Sequence, residues 1–424
     1  MNINTFAIII LAALVLDFSL KLVSDLLNLK SLKLELPFVL QDIYNQEDYR
    51  KSQEYLRTTT RFGLVDSSFT LLILLAFWFS GGFNWFDQVV TGWNLVPVVT
   101  GLLYIGILLF AYSLIKLPFD IYSTFVIEER FGFNKTTRRT FLLDMLKGFI
   151  LALLLGGLLL AGILALFQYV GIYAWVYCWA AVVIFSLAMQ YVAPTWIMPL
   201  FNKYTSMAEG ELKEAILKYT GSVNFPIKNI FVMDGSKRSS KSNAFFTGFG
   251  RNKRIALFDT LIAQHSVPEM VAVLAHEVGH YKKKHILQGM IISIVHTGVL
   301  FFLLSLFLTS PGLYQAFGIG YQPIYAGLLF FGLLYTPIEL VLSVVMQMLS
   351  RKNEYEADRF AAETIDEPHN LIDALKKLSS TNLSNLTPHP LYVFLNYSHP
   401  PLLQRIQAIQ KTKRKYAVDQ GSHN

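Results

Sequence analysis

Seven long apolar runs decide what this chain can fold into. They lie at roughly Phe6–Leu20, Leu64–Trp85, Pro97–Ile115, Phe149–Val170, Ile172–Val192, Ile286–Leu308 and Ile324–Leu349. An apolar run of about 18 or more residues with few charges is long enough to cross a bilayer as a helix. Lipid offers no partner to a backbone amide, so a chain with several such runs folds as a helical membrane protein. The first run is the shortest. No basic residue precedes it and no small-residue cleavage site follows, so it reads as a retained helix continuing past Lys21. The 424 residues are 53% apolar and only 15% charged, which excludes a disordered chain and sets it apart from soluble domains at about 25% charged. The single cysteine, Cys178, permits neither an intrachain disulfide nor a cysteine-built metal site.

Topology follows from the basic residues, because short loops rich in Lys and Arg stay on the cytoplasmic side. Seven lie after the first run, six after the third, thirteen between the fifth and sixth, and ten after the seventh, which accounts for all 36. The intervening loops hold none. The alternation gives an N-terminus outside, a C-terminus inside and seven spans. The net charge of +7 is thus a topology signal and requires no nucleic-acid partner. Four Asn-x-Ser/Thr sequons, at Asn134, Asn382, Asn385 and Asn396, fall on the basic side, where glycosylation does not occur. The chain divides into 1–193 with five spans, a cytoplasmic part at 194–285, two spans at 286–349 and a second cytoplasmic part at 350–424.

In the first cytoplasmic part, Asn229–Met233 reads as a strand, and Asn243–Gly248 with Arg254–Phe258 as a hairpin. A helix starts at Ser266, with Pro268 in its first turn and Glu269 closing a capping box. It runs into His276-Glu277-Val278-Gly279-His280. Histidines four apart share a helical face and can bind one zinc ion. Zinc lowers the pKa of bound water towards about 7, and Glu277 can take its proton and pass it to a leaving amine. A chance match to this pattern in a chain of this length is on the order of 1%. A third ligand is still needed. Glu354 and Asp358 are four apart and share a face; spacing alone does not separate Glu354 from Glu356 or Glu363. Helices are expected over Asn353–Thr364 and Asn370–Leu378.

These residues resemble the Ste24 family of CAAX prenyl proteases, membrane zinc metallopeptidases. The resemblance is carried by Leu117–Lys135, Pro199–Lys203, Asp234–Phe249, the HEVGH motif, the Glu354 and Asp358 pair and Ser398–Arg405. It implies Glu354 as third zinc ligand, Asp358 behind a ligand histidine, and Asn243 and Ala244 on an edge strand that binds substrate backbone. It implies His399 and Arg405 near the zinc, steadying the oxyanion or the substrate. It also implies a mainly α fold: seven helices ringing an intramembrane chamber, with a zinc domain of helices and a small β-sheet. The family removes three C-terminal residues next to a prenylated cysteine. Lys241 and Phe245 depart from the family, which often has His and Tyr there.

The expected protein is therefore a monomeric zinc endopeptidase of the bilayer acting on peptide or protein substrates, prenylated ones first. The alternative is a quality-control protease like the shorter HtpX relatives, acting on unprenylated substrates. A site-2-type protease fits less well: Asp234-Gly235 precedes the motif and Lys282–Lys284 follow it. A transporter would need more ionisable residues in its spans than Asp17, Asp66, His296 and Glu339. Compact loops and a C-terminus without a retrieval signal favour a bacterial cytoplasmic membrane, with the endoplasmic reticulum membrane as the eukaryotic counterpart.

Overall fold

The computed structural model describes residues 4–421 apart from 34, 37, 39, 40, 42–44, 226, 228 and 248–253, and leaves out the side chains of 245–247, 254 and 413–421. Seven helices are long and apolar enough to span a membrane: Thr5–Lys30, Gln46–Phe79, Pro97–Glu128, Arg138–Tyr169, Gly171–Phe201, His285–Phe307 and Ile324–Thr364. Their starts are chemically marked. Asn4, Asn45 and Thr137 each accept a backbone N–H in the first turn, and Pro97 opens the third span.

Several boundaries differ from the hydropathy reading, and two of the differences have a plain local cause. The second span stops at Phe79 because Gly81 takes a left-handed φ of 79°. The residues beyond form a short helix, Gly82–Thr91, that buries Phe83, Phe86 and Val90. The separate helix expected from Asn353 does not exist. Ser350–Asn353 contain no helix breaker, so the seventh span runs unbroken for 41 residues to Thr364 and carries Glu354 and Asp358 on its far end.

The spans are packed at their ends and open along their middles. In the first, Ala7, Ile10 and Ala13 are buried at one end and Ser24, Asp25 and Asn28 at the other. The second buries Trp78 at one end and Tyr49, Ser52 and Gln53 at the other. The sixth buries His285, then nothing until Phe301. The seventh buries Tyr325–Tyr335 positions and then nothing until Glu354. No span has more than 22% of its most apolar stretch buried. Burial concentrated at the two ends of the spans, with little between, is the pattern of helices ringing an open waist.

One end of the waist is plugged by aromatic packing. Phe317 stacks on Phe330 with ring centroids 3.8 Å apart, Trp78 stacks on Phe317 at 4.7 Å, and the Trp78 indole N–H donates to the Ala316 carbonyl at 2.8 Å. The other end is roofed by the soluble part. Its sheet has the order β1-β2-β4-β3, with β1 Tyr204–Ser206, β2 Asn229–Met233, β3 Ala244–Thr247 and β4 Arg254–Phe258. β2 and β4 are parallel and the other pairs antiparallel. The expected hairpin strands pair, while the turn between them, 248–253, lies outside the described residues. β3 is an edge of the sheet. The sheet packs through Ile255 and Leu257 on the helix Val267–Lys282, whose Met270, Leu274 and Val278 share a buried core with Ala361 of the seventh helix.

Two of the sequence runs that carried the family resemblance dock on each other. Arg238 grips Asp144 with two hydrogen bonds of 2.7 and 2.9 Å. The Lys135 amide donates to the Arg238 carbonyl, and the Ser240 amide to the Phe133 carbonyl. The strand leading to β3 is thereby anchored to the membrane helices.

Candidate metal centre

The helix Val267–Lys282 begins with the capping box read from sequence: Glu269 accepts the Ser266 amide at 2.8 Å while Ser266 caps the third residue. Its first buried face, Met270 to Val278, sits in the core and fixes the rotation of the helix. His276 and His280 then face the seventh helix. Gly279 explains how close the two helices come: a Cβ there would lie 3.0 Å from the Ala357 Cα and 3.0 Å from its carbonyl oxygen. Ala357 and Ala361, both fully buried, complete a contact made of small residues. This approach brings Glu354 to the histidines.

His276 Nε2 and His280 Nε2 are 3.2 Å apart. Glu354 Oε2 is 3.4 Å from His276 Nε2, and Glu354 Oε1 is 3.2 Å from His280 Nε2. Ligands about 2.0–2.1 Å from a tetrahedral ion stand about 3.3 Å from one another. The His276–His280 edge fits that spacing, and Glu354 sets one carboxylate oxygen at the same range from each histidine. Glu354 Oε2 is also buried without a hydrogen-bond partner among the described residues, an orphan that a cation would satisfy. The donor set therefore fits a metal held by His276, His280 and Glu354.

Behind the ligands lies a buried chain of charge. Asp358 Oδ1 sits 2.9 Å from His276 Nδ1. Arg405 holds Asp358 with a fork, Nε to Oδ2 at 2.8 Å and the terminal nitrogen to Oδ1 at 2.6 Å. Asp358 is 1% exposed and Arg405 8%. Burial opposes charge on His276, but the facing carboxylates of Asp358 and Glu354 outweigh that and carry its pKa up to about 9. Burial also raises the pKa of Glu277 above the usual carboxylate range.

His276, Glu277, His280, Glu354 and His399 line one cleft of about 420 Å³, together with Ala244. His399 reaches it from outside, its Nε2 3.3 Å from Glu354 Oε1 and its side chain 63% exposed. Asn243 adjoins the cleft, and its carbonyl accepts the Phe258 amide. Arg405, expected near the zinc, has one guanidinium nitrogen 3.5 Å from Glu354 Oε2, while its fork is engaged by Asp358 behind His276. Lys241 is away from the ligands. Its Nζ is 2.9 Å from Glu128, 2.8 Å from the Tyr55 hydroxyl and 4.4 Å from the Phe133 ring centroid.

Sequence reasoning gave His285 and Glu356 no supporting role behind a ligand. His285 Nδ1 is 3.1 Å from His280 Nδ1, and its Nε2 is 3.2 Å from Glu356 Oε2. They do for His280 what Asp358 does for His276: they fix which nitrogen faces the metal. The signal available was that a ligand histidine needs a partner on its second nitrogen. Glu356, which spacing left as an alternative ligand, is that partner's anchor.

Known proteins match along most of the chain. The family described as CAAX prenyl protease N-terminal, five membrane helices, matches residues 25–203, and peptidase family M48 matches residues 206–413. A CAAX prenyl protease 1 homolog of Arabidopsis thaliana is 39% identical over 400 residues, covering 92% of this chain and 94% of that one. CAAX prenyl protease 1 of Saccharomyces cerevisiae is 36% identical and covers 90% of each. The crystal structure of S. mikatae Ste24p superposes with a TM-score of 0.91 at 35% identity, covering 96% of this chain and 99% of that one. Seven membrane helices, the paired His-Glu cluster and these relatives lead to one assignment: the chain belongs to the M48 metallopeptidases of the membrane-embedded CAAX prenyl protease 1 family.

Proposed function

We propose that the chain is a zinc endopeptidase that trims prenylated C-termini at the cytoplasmic membrane face. The observation that carries this reading is the convergence of His276, His280 and Glu354 within about a ligand–ligand spacing of one another, in the same cleft as Glu277 and Ala244. Two imidazoles and one carboxylate at these separations suit zinc, with a fourth position left for substrate or water. Bound there, zinc would polarise the scissile carbonyl and acidify water. Glu277 takes the proton of the attacking water on its carboxylate and returns it to the leaving amine. Its raised pKa brings it closer to the working pH, where one group can both accept and donate. Asp358, clamped by Arg405, holds His276 with Nε2 towards the metal. His399 reaches in from the exposed rim to steady the carbonyl oxygen as it becomes negative. The substrate backbone lies along the free edge of β3 at Asn243 and Ala244. The distribution of Lys and Arg supports the cytoplasmic placement.

Purified protein offered a farnesylated CAAX peptide and its unprenylated twin tests this reading. It predicts preferential cleavage of the farnesylated peptide, three residues from its end. Equal turnover of both would overturn the prenyl specificity in favour of general membrane-protein proteolysis.

A further inference from the structure

Halfway down the hollow waist, two spans carry a polar cluster that the metal chemistry does not use. His296 of the sixth span lies 3.5 Å from the Glu339 carboxylate of the seventh and 3.1 Å from the Tyr335 hydroxyl. Tyr335 is buried and holds the imidazole in place; Glu339 projects from the cluster with its side chain 57% exposed. An exposed carboxylate at this depth is costly towards lipid, so its direction matters.

Both helices turn this cluster to the same side as the metal centre. Eleven residues separate His285 from His296, which at 3.6 residues per turn leaves them about 20° apart on their helix. Fifteen residues separate Glu354 from Glu339, which leaves them about 60° apart. The exposed apolar stripes lie elsewhere: Ile291, Val295 and Val299 on the sixth span, Ile338, Val341 and Val345 on the seventh. Those stripes face lipid. The cluster faces the waist, about 16 Å from His285 and about 22 Å from Glu354 by helix rise.

We propose that Glu339, oriented by His296, is a substrate-binding station that takes a basic side chain of the peptide. The inference rests on the endopeptidase reading for its register. An extended peptide advances about 3.3 Å per residue, so the station meets a residue about five to seven positions from the scissile bond. A CAAX-type substrate has only three residues on the C-terminal side of that bond. The basic residue therefore lies upstream.

The test measures binding of fluorescent farnesylated peptides to the full-length, zinc-loaded Glu277→Gln protein, in which turnover is blocked. A single Lys is walked through about ten upstream positions of an otherwise neutral peptide. Affinity should peak with Lys about five to seven residues upstream, about three- to five-fold above the neutral peptide, the range of a partly exposed ion pair. Glu339→Gln should flatten the peak, and Glu339→Lys should invert it so that Glu at those positions binds best. A flat profile in the parent, or a peak that survives Glu339→Gln, would overturn the station. A register peak in binding, combined with no cleavage of any peptide by the zinc-loaded wild type, would instead contradict the endopeptidase reading and leave the station standing.

Discussion

At the end of the spans away from the metal, Trp78, Phe317 and Phe330 stack face to face, and a single carboxylate, Asp87, is satisfied by the hydroxyls of Tyr321 and Tyr325 at 3.0 and 2.6 Å. At the metal end, Arg405, Asp358, His276 and Glu354 form one buried chain of ionisable groups. The first end is held by area and shape. Its energy is spread over many contacts, and loss of one ring leaves a cavity but no stranded charge. The second is held by partner identity. Removing one member strands the next in a dry place, so damage there is local, steep and functional. With an open waist between them, the two ends are expected to fail independently.

The sharpest test of that independence pairs one variant from each end. Glu354→Ala removes a ligand and should abolish metal binding, read as metal content after gel filtration. Phe330→Ala should cost about 3–5 kcal/mol of stability, seen as a lower thermal midpoint in detergent, with one metal per chain retained. Metal loss in Phe330→Ala would show the ends to be coupled and break the comparison.

A smaller effect follows from the support behind His276. Asp358→Asn should weaken metal affinity by about 10–100-fold, measured by competition with a chelating dye. Arg405→Lys should act in the same direction, because a lysine cannot reproduce the two-bond fork on Asp358.

Proton linkage comes next. His276 has its pKa raised to about 9, and a metal needs the neutral ring. Below that pH a proton competes with the ion, so apparent metal affinity should fall by up to about tenfold per pH unit as the pH drops from 9 towards the ordinary histidine value, and level off above 9. Calorimetry in buffers of different ionisation enthalpy should show close to one proton released per metal at pH 7. No proton release would contradict the Asp358–His276–Glu354 electrostatics.

The smallest expected change is at Lys241, which belongs to the anchoring of β3. Lys241→Ala should raise the KM for peptide by only a few-fold, in the range of an exposed ion pair with a cation–π contact, and leave metal content at one. A loss of metal would place Lys241 in the centre itself.

The legibility of this molecule in its sequence tracks the range of each interaction. The spans were readable because hydropathy is local, and so was the capping box at Ser266 and Glu269. The continuous seventh helix was half readable: the polar residues from Ser350 end the apolar run without ending the helix. Helical spacing could not choose between Glu354 and Glu356, since that depends on where Gly279 lets a second helix approach Ala357. The Arg405–Asp358 fork joins residues 47 apart, and the His280–His285–Glu356 chain bridges two helices. The aromatic plug assembles Trp78, Phe317 and Phe330 from three distant segments. None of these contacts leaves a periodic trace.

The central claim is that Glu277 moves the proton while His276, His280 and Glu354 hold the metal. The direct measurement is metal content and farnesyl-peptide cleavage side by side for the wild type and Glu277→Gln. The account predicts one zinc per chain in both proteins and cleavage in the wild type alone. Cleavage by Glu277→Gln at the wild-type rate would contradict it.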